Sequence, residues 1–256
     1  MIQATCRSPD ETGARWDWEI PDPQWRVYRR VLEEVRAAGI PVALGGAFAL
    51  ATYTGDLRNT KDLDLYILPR DREATIEAMT RAGLMDYHDR LPYDRSWIYR
   101  GTRDDSLVDA IWAMANLRAY VDRDWLTLGP EVQIGEQRVR ALPPEELIWC
   151  KLYVLQRERS DWMDVFNLLD ALGPRLDWER LVARLGADLP LLTAALTLFG
   201  WLAPRRAARI PSSAWSATGA RRPEPAPGPD VTGTRADLLD SRPWFRGARS
   251  GDRGPC

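Results

Sequence analysis

Apolar positions along the chain alternate between a helical and a strand period. After Asp22-Pro23, an N-cap followed by proline at the first helical position, Trp25, Tyr28, Val31, Leu32 and Val35 recur at helical spacing until Gly39. Residues 41–44 form a short apolar strand that ends in Gly45-Gly46, and residues 47–51 open a second helix. Residues 62–68 read as a strand closed by Pro69, and residues 72–82 as a helix stopped by Gly83. A short strand is predicted over 85–88. Two hairpins follow, 97–100 with 107–112 and 132–134 with 138–141, the second turning at Gly135-Glu136. Beyond Pro143 the pattern is helical throughout, over about 145–156, 161–172, 178–185 and 191–202.

This order predicts a mixed α/β half joined near Leu142 to an all-helical half. The division is an N-terminal extension over 1–21, the α/β domain over 22–142, a helical domain over 143–203 and a tail over 204–256. The tail holds ten arginines against five acids, with eight prolines and six glycines. Its run Arg221-Arg222-Pro223-Glu224-Pro225-Ala226-Pro227-Gly228-Pro229 suits neither a helix nor an inner strand, so the tail reads as disordered. Its basic excess suits either nucleic-acid contact or simple solvation.

Composition narrows the chemistry. The chain has 256 residues and a net charge of −2, which excludes a histone-like protein. Cys6, Cys150 and Cys256 are far apart and form no CxxC pair, so a disulfide framework or zinc ribbon is not expected, and a reducing cytoplasm is. Residues 1–22 lack the apolar core of a signal peptide, and no membrane-spanning run is read from the sequence. The single histidine, His88, is read as structural and speaks against mechanisms that need two.

Three features carry candidate chemistry. Leu44-Gly45-Gly46-Ala47 turns a strand into a helix through two glycines, where backbone N–H groups could face a phosphate; the same pair also serves an ordinary tight turn. In Asp62-Leu63-Asp64-Leu65 both carboxylates leave one face of a strand, as a Mg²⁺ site requires and as an exposed acidic strand also would. Asp109 interrupts the apolar run Leu107-Val108-Asp109-Ala110-Ile111-Trp112. It either faces water at an edge or, beside the Asp62 strand, completes a three-carboxylate cage.

Together these residues resemble the nucleotidyltransferase superfamily with the polymerase-β-like fold. The approach Arg58-Asn59-Thr60-Lys61-Asp62-Leu63-Asp64-Leu65 is similar to the bacterial branch of AbiEii-type toxins and small-molecule nucleotidyltransferases. So is the stretch Pro144–Leu152 with Arg157, Asp161 and Asp164 behind it. Ala47 stands where many members carry a serine, leaving only backbone donors. The resemblance implies an α/β (α+β) fold: a mixed sheet with flanking helices, then a helical C-terminal domain. It implies Asp62, Asp64 and Asp109 as catalytic metal ligands for Mg²⁺ or Mn²⁺, and an NTP as co-substrate held by Gly45, Gly46, Arg58, Thr60 and Lys151. Lys151 would face the triphosphate; a snorkelling surface lysine is the other reading, and for Arg58 an exposed loop residue. The implied reaction moves a nucleoside monophosphate to a hydroxyl of a tRNA, a protein or an aminoglycoside-like small molecule. Two other classes stay open: a catalytically idle member of a toxin–antitoxin pair, with a cognate antitoxin as partner, and a DxD glycosyltransferase.

Overall fold

The computed structural model describes residues 20–55, 60, 62–224 and 228–240. The described residues divide into two compact units, the first within Met1–Phe48 and Leu57–Leu142, the second within Ala49–Asp56 and Pro143–Cys256.

The first unit is built on a seven-stranded mixed sheet. Helix α1 (Asp22–Ala37) buries Val27, Tyr28, Val31, Leu32 and Val35, the stripe its spacing predicts. Strand β1 (Ala43–Leu44) leads into α2 (Gly46–Thr54), and β2 (Asp62–Tyr66) is followed by a tight turn over Pro69–Asp71 and α3 (Arg72–Arg81). Strand β3 (Met85–Asp86) is cut short because the Asp86 carboxylate accepts from the His88 backbone N–H at 2.9 Å, which starts a turn instead. Strands β4 (Ile98–Arg103) and β5 (Ser106–Ile111) form one hairpin, β6 (Glu131–Ile134) and β7 (Gln137–Ala141) the other.

Between the hairpins lies a helix that the periodicity does not predict, α4 (Arg123–Thr127). It is too short to show a period, and is defined by Asp122 capping the Asp124 N–H at 2.9 Å and by the fully buried Trp125. The strand order is β3-β4-β5-β2-β1-β7-β6. β2 runs parallel to β5 and antiparallel to β1, and β1 runs parallel to β7. Leu63 and Leu65 of β2, followed by Ile67, are at most 1% exposed and point to the face opposite Asp62 and Asp64.

The second unit is helical: α5 (Pro144–Leu152), α6 (Trp162–Leu172), α7 (Trp178–Leu185) and α8 (Leu189–Leu202). The stretch Trp178–Leu202 is long and apolar enough by composition to cross a membrane. Gly186, at φ +52, divides it into α7 and α8, and Leu181, Leu185, Leu192, Leu196 and Phe199 are buried. Past Pro204, where proline and glycine content predicts disorder, the described residues differ from that expectation. They form α9 (Pro204–Ala207), α10 (Ser212–Thr218) and α11 (Thr232–Leu239). The reason is a set of apolar anchors, Ala207, Ile210, Ala214 and Trp215, all at most 2% exposed, which bury enough surface to offset the ordering of a short segment. Leu238 and Leu239 remain exposed, while Trp244 and Phe245 lie outside the described residues.

Charge networks fasten this unit, two of them centred on buried side chains of α5. Glu146, fully buried on α5, accepts from Arg184 at 3.0 Å and from Arg180 at 2.5 and 3.1 Å, both on α7. Lys151, at the end of α5, is 7% exposed and places its Nζ 2.7 Å from Asp164 and 3.2 Å from Asp161. Burial works to raise the Asp161 carboxyl, but the Arg159 hydrogen bonds and the Lys151 charge hold it below the ordinary aspartate value.

Lys151→Met leaves two poorly hydrated carboxylates without their ammonium. It is expected to cost about 3–5 kcal/mol, read as a lower urea midpoint, with much of the loss recovered in Lys151→Met/Asp164→Leu. The Asp161 pair has a signed pH dependence. A carboxyl depressed in the folded state adds stability above its unfolded value of about 3.9, and loses it as pH falls through the lower folded value. The difference in urea midpoint between wild type and Asp161→Asn is therefore full at neutral pH and closes below about pH 4.

Candidate active site

The sheet register delivers the three acids to one place. Asp64 of β2 pairs directly with Asp109 of β5, and Asp62 lies two residues earlier on the same face. Asp62, Asp64 and Asp109 each offer an oxygen, and these oxygens lie within 4.8 Å of one another. Asp62 and Asp64 are half-buried; Asp109 is 2% exposed. Three hard oxygen donors on rigid strands could hold a divalent cation.

Asp109 does not face water at an edge. Its strand lies between β4 and β2, and its carboxylate is held by a guanidinium. Arg100 stands directly opposite on β4, its Nε 2.7 Å from Oδ1 and its Nη2 2.5 Å from Oδ2. Burial raises the Asp109 carboxyl, Arg100 opposes that rise, and Asp62 adds to it. The Arg100 guanidinium is held more firmly protonated by its hydrogen bond to Asp109. Arg100 is itself braced: its backbone N–H donates to the Tyr93 hydroxyl at 2.8 Å, and its guanidinium lies 5.9 Å from the Tyr87 ring centre.

Tyr28 of α1 also lies near the triad. It is fully buried, and burial raises its hydroxyl pKa, with Asp62, Asp64 and Asp109 pushing the same way against the Gln24 hydrogen bond. Gln24 donates to the Tyr28 hydroxyl at 2.6 Å and to the Thr60 carbonyl at 2.5 Å. Thr60 in turn donates its hydroxyl proton to Asp62 Oδ1.

The two glycines are set by contact as well as by turn geometry. Gly45 N–H donates to the Asp64 carbonyl at 2.9 Å, and a Cβ on Gly45 would lie 2.2 Å from the Tyr66 ring. Gly46, at φ +50, starts α2, and a Cβ there would lie 1.7 Å from Asp64 Oδ2. The turn therefore rests directly on the second carboxylate of the triad. Of the remaining expected nucleotide contacts, Lys151 is in the second unit, buried with Asp161 and Asp164 and not a surface lysine, and Arg58 lies outside the described residues.

The structure brings together the three acids that the sequence singles out; Arg100 and Gln24 were not singled out, and Tyr28 only as an apolar helix position. Arg100 was within reach. Asp104 and Asp105 sit at φ +49 and +61, the pattern of a two-residue type I′ hairpin, and that turn places Arg100 opposite Asp109.

Residues 24–205 match the family described as "uncharacterised nucleotidyltransferase", and the chain belongs to that family; it is a nucleotidyltransferase. No curated protein matches the chain. Among solved structures, the antibiotic-resistance factor ANT(2'')-Ia is 19% identical, with a TM-score of 0.48 over 68% of this chain and 96% of that one. The lincosamide antibiotic adenylyltransferase LnuA is 14% identical, with a TM-score of 0.43 over 60% and 99%. JHP933 from Helicobacter pylori is 14% identical, with a TM-score of 0.38 over 86% and 96%.

Gly46→Ala forces a side chain into a left-handed backbone and against the Asp64 carboxylate. A displacement of Asp64 on the order of 1 Å is expected to lower nucleotidyl transfer about a hundredfold, measured as initial rate in a variant whose circular dichroism stays native.

Proposed function

We propose that the first unit moves a nucleoside monophosphate from an NTP to an acceptor hydroxyl, using Mg²⁺ or Mn²⁺ held by Asp62, Asp64 and, in the loaded site, Asp109. The observation that carries this reading is the convergence of the three carboxylates on one face of β2 and β5, with the Gly45-Gly46 turn closed onto Asp64. The donor set suits such a cation: all oxygen, clustered, and with no room for a side chain between Gly46 and Asp64. A bound divalent ion would neutralise phosphate charge and polarise the reacting phosphorus.

The chain's own residues set the alignment. Thr60 holds Asp62 in its rotamer, and the β-ladder fixes the spacing of Asp64 and Asp109. Gly45 and Gly46 let the backbone approach the triphosphate without a side chain between. The acceptor oxygen forms a bond to the α-phosphorus, the bond to pyrophosphate breaks, and the hydroxyl proton passes to a carboxylate of the triad. Most of the rate gain comes from positioning and preorganised charge. The cysteine pattern favours a cytoplasmic setting. Acceptors to be assayed are aminoglycoside-like compounds, protein side chains and tRNA.

The test is pyrophosphate release from a panel of NTPs with these acceptors, with and without Mg²⁺. Asp62→Asn and Asp64→Asn are each expected to lower transfer at least about a hundredfold, the scale of losing one preorganised charged group. The rise in melting temperature given by Mg²⁺ with NTP should shrink in both, since that rise reports binding to the folded state. Near-normal transfer in both variants overturns the metal assignment. No pyrophosphate release with any NTP, acceptor or metal favours an idle partner-binding protein, whose antitoxin would then be sought.

A further inference from the structure

Arg100, Asp109 and Asp64 lie in a single row across β4, β5 and β2, because Arg100 pairs with Asp109 and Asp109 pairs with Asp64 in the two ladders. The row has an order of charge: cation, buried anion, half-buried anion. Both oxygens of Asp109 accept from Arg100, one from Nε and one from Nη2, so the guanidinium takes the planar, two-pronged position in front of the carboxylate. Asp109 is 2% exposed, whereas the Arg100 side chain is 31% exposed. The carboxylate is thus the enclosed member of the pair, and the guanidinium is the member that reaches solvent. Leaving it in place cancels one of the three negative charges around the cluster.

We infer that Arg100 is a positioning residue that keeps Asp109 out of the cation site in the nucleotide-free protein, so that a cation arriving alone meets Asp62 and Asp64, and Asp109 joins only when Arg100 is drawn away. The inference rests on the metal reading of the triad proposed above. It assigns to Arg100 a role in which charge and fork shape both matter. An ammonium keeps the charge but cannot cover both oxygens; a neutral side chain gives up the charge. The physical consequence is counter-intuitive for a residue beside a catalytic centre: its removal strengthens metal binding while it weakens the apo fold. Without Arg100 a buried carboxylate is left uncompensated, and a cation is what then compensates it.

The experiment is a titration of the full chain with Mn²⁺ alone, followed by electron paramagnetic resonance, with the Mn²⁺-dependent shift in melting temperature as a second readout. Arg100→Ala is expected to bind Mn²⁺ at least about tenfold more tightly than wild type, and to gain a larger rise in melting temperature from it. Arg100→Lys should stay nearer to wild type. Arg100→Gln serves as the neutral variant should Arg100→Ala not fold without metal, and should tighten Mn²⁺ binding in the same direction. In Arg100→Ala/Asp109→Asn the gain should vanish, because the carboxylate that Arg100 releases is no longer there.

Unchanged or weaker Mn²⁺ affinity in Arg100→Ala and Arg100→Gln, with Asp62→Asn still abolishing binding, overturns this inference and leaves the metal reading standing. Persistence of the gain in Arg100→Ala/Asp109→Asn overturns it as well, since the effect would then come from the field of the arginine and not from Asp109. Loss of any dependence on Asp62 overturns both readings together.

Discussion

Like charges crowded at the middle of a sheet are the constraint around which the first unit is arranged. Three carboxylate oxygens lie within 4.8 Å of one another, and at the effective dielectric of such sites each ionised pair repels by roughly 3 kcal/mol. A fold does not gather these groups spontaneously; the β2–β5 ladder and its neighbours must hold them there. Among the described residues, the two-pronged hold of Arg100 on the most buried acid and the Thr60 hydroxyl on the most N-terminal one offset part of the repulsion. The apolar alternation of Leu63, Leu65 and Ile67 supplies the anchoring on the opposite face.

The same constraint dictates the glycines. β1 runs antiparallel to β2 with Leu44 opposite Leu65, so the turn out of β1 is carried back along β2 to Asp64. There is no volume left for a side chain at either position of that turn: Tyr66 fills the space over Gly45 and Asp64 the space over Gly46. Tyr66 is held in turn by stacking on Trp125, with ring centres 5.7 Å apart. The small helix α4 thus reaches the site through two aromatic rings and a glycine.

How much of this can be read from residues alone follows from the range of each interaction. The acids and glycines were legible because strand period and turn chemistry are local, and the mixed sheet with a helical half behind it follows from the order of periods. Element ends shifted by a few residues where a side chain intervened, as Asp86 does after β3. The pairing of β2 with β5, which turns two separate acidic motifs into one cluster, is a contact between distant segments that no local pattern encodes. Trp215 and Ile210 show the opposite failure: composition from residue 204 onward reads as disordered, yet a few apolar side chains at the right places are buried in full. The resemblance put Lys151 at the triphosphate, but its ion pairs with Asp161 and Asp164 come from helix packing and not from spacing.

The turn at Asp104-Asp105 has a consequence for how this family can vary. A two-residue loop with both residues at positive φ restricts which residues its tip accepts, and it transmits any change in length, since one added residue moves the whole of β4 by one step against β5 and exchanges its two faces. Arg100 would then sit beside a different partner on the opposite surface of the sheet, and a glycine or a tyrosine would stand across from Asp109. Insertions and deletions should therefore be rare in this loop and common in the connections that set no register, so that loop length alone becomes a marker of which homologues retain the arginine–aspartate pair.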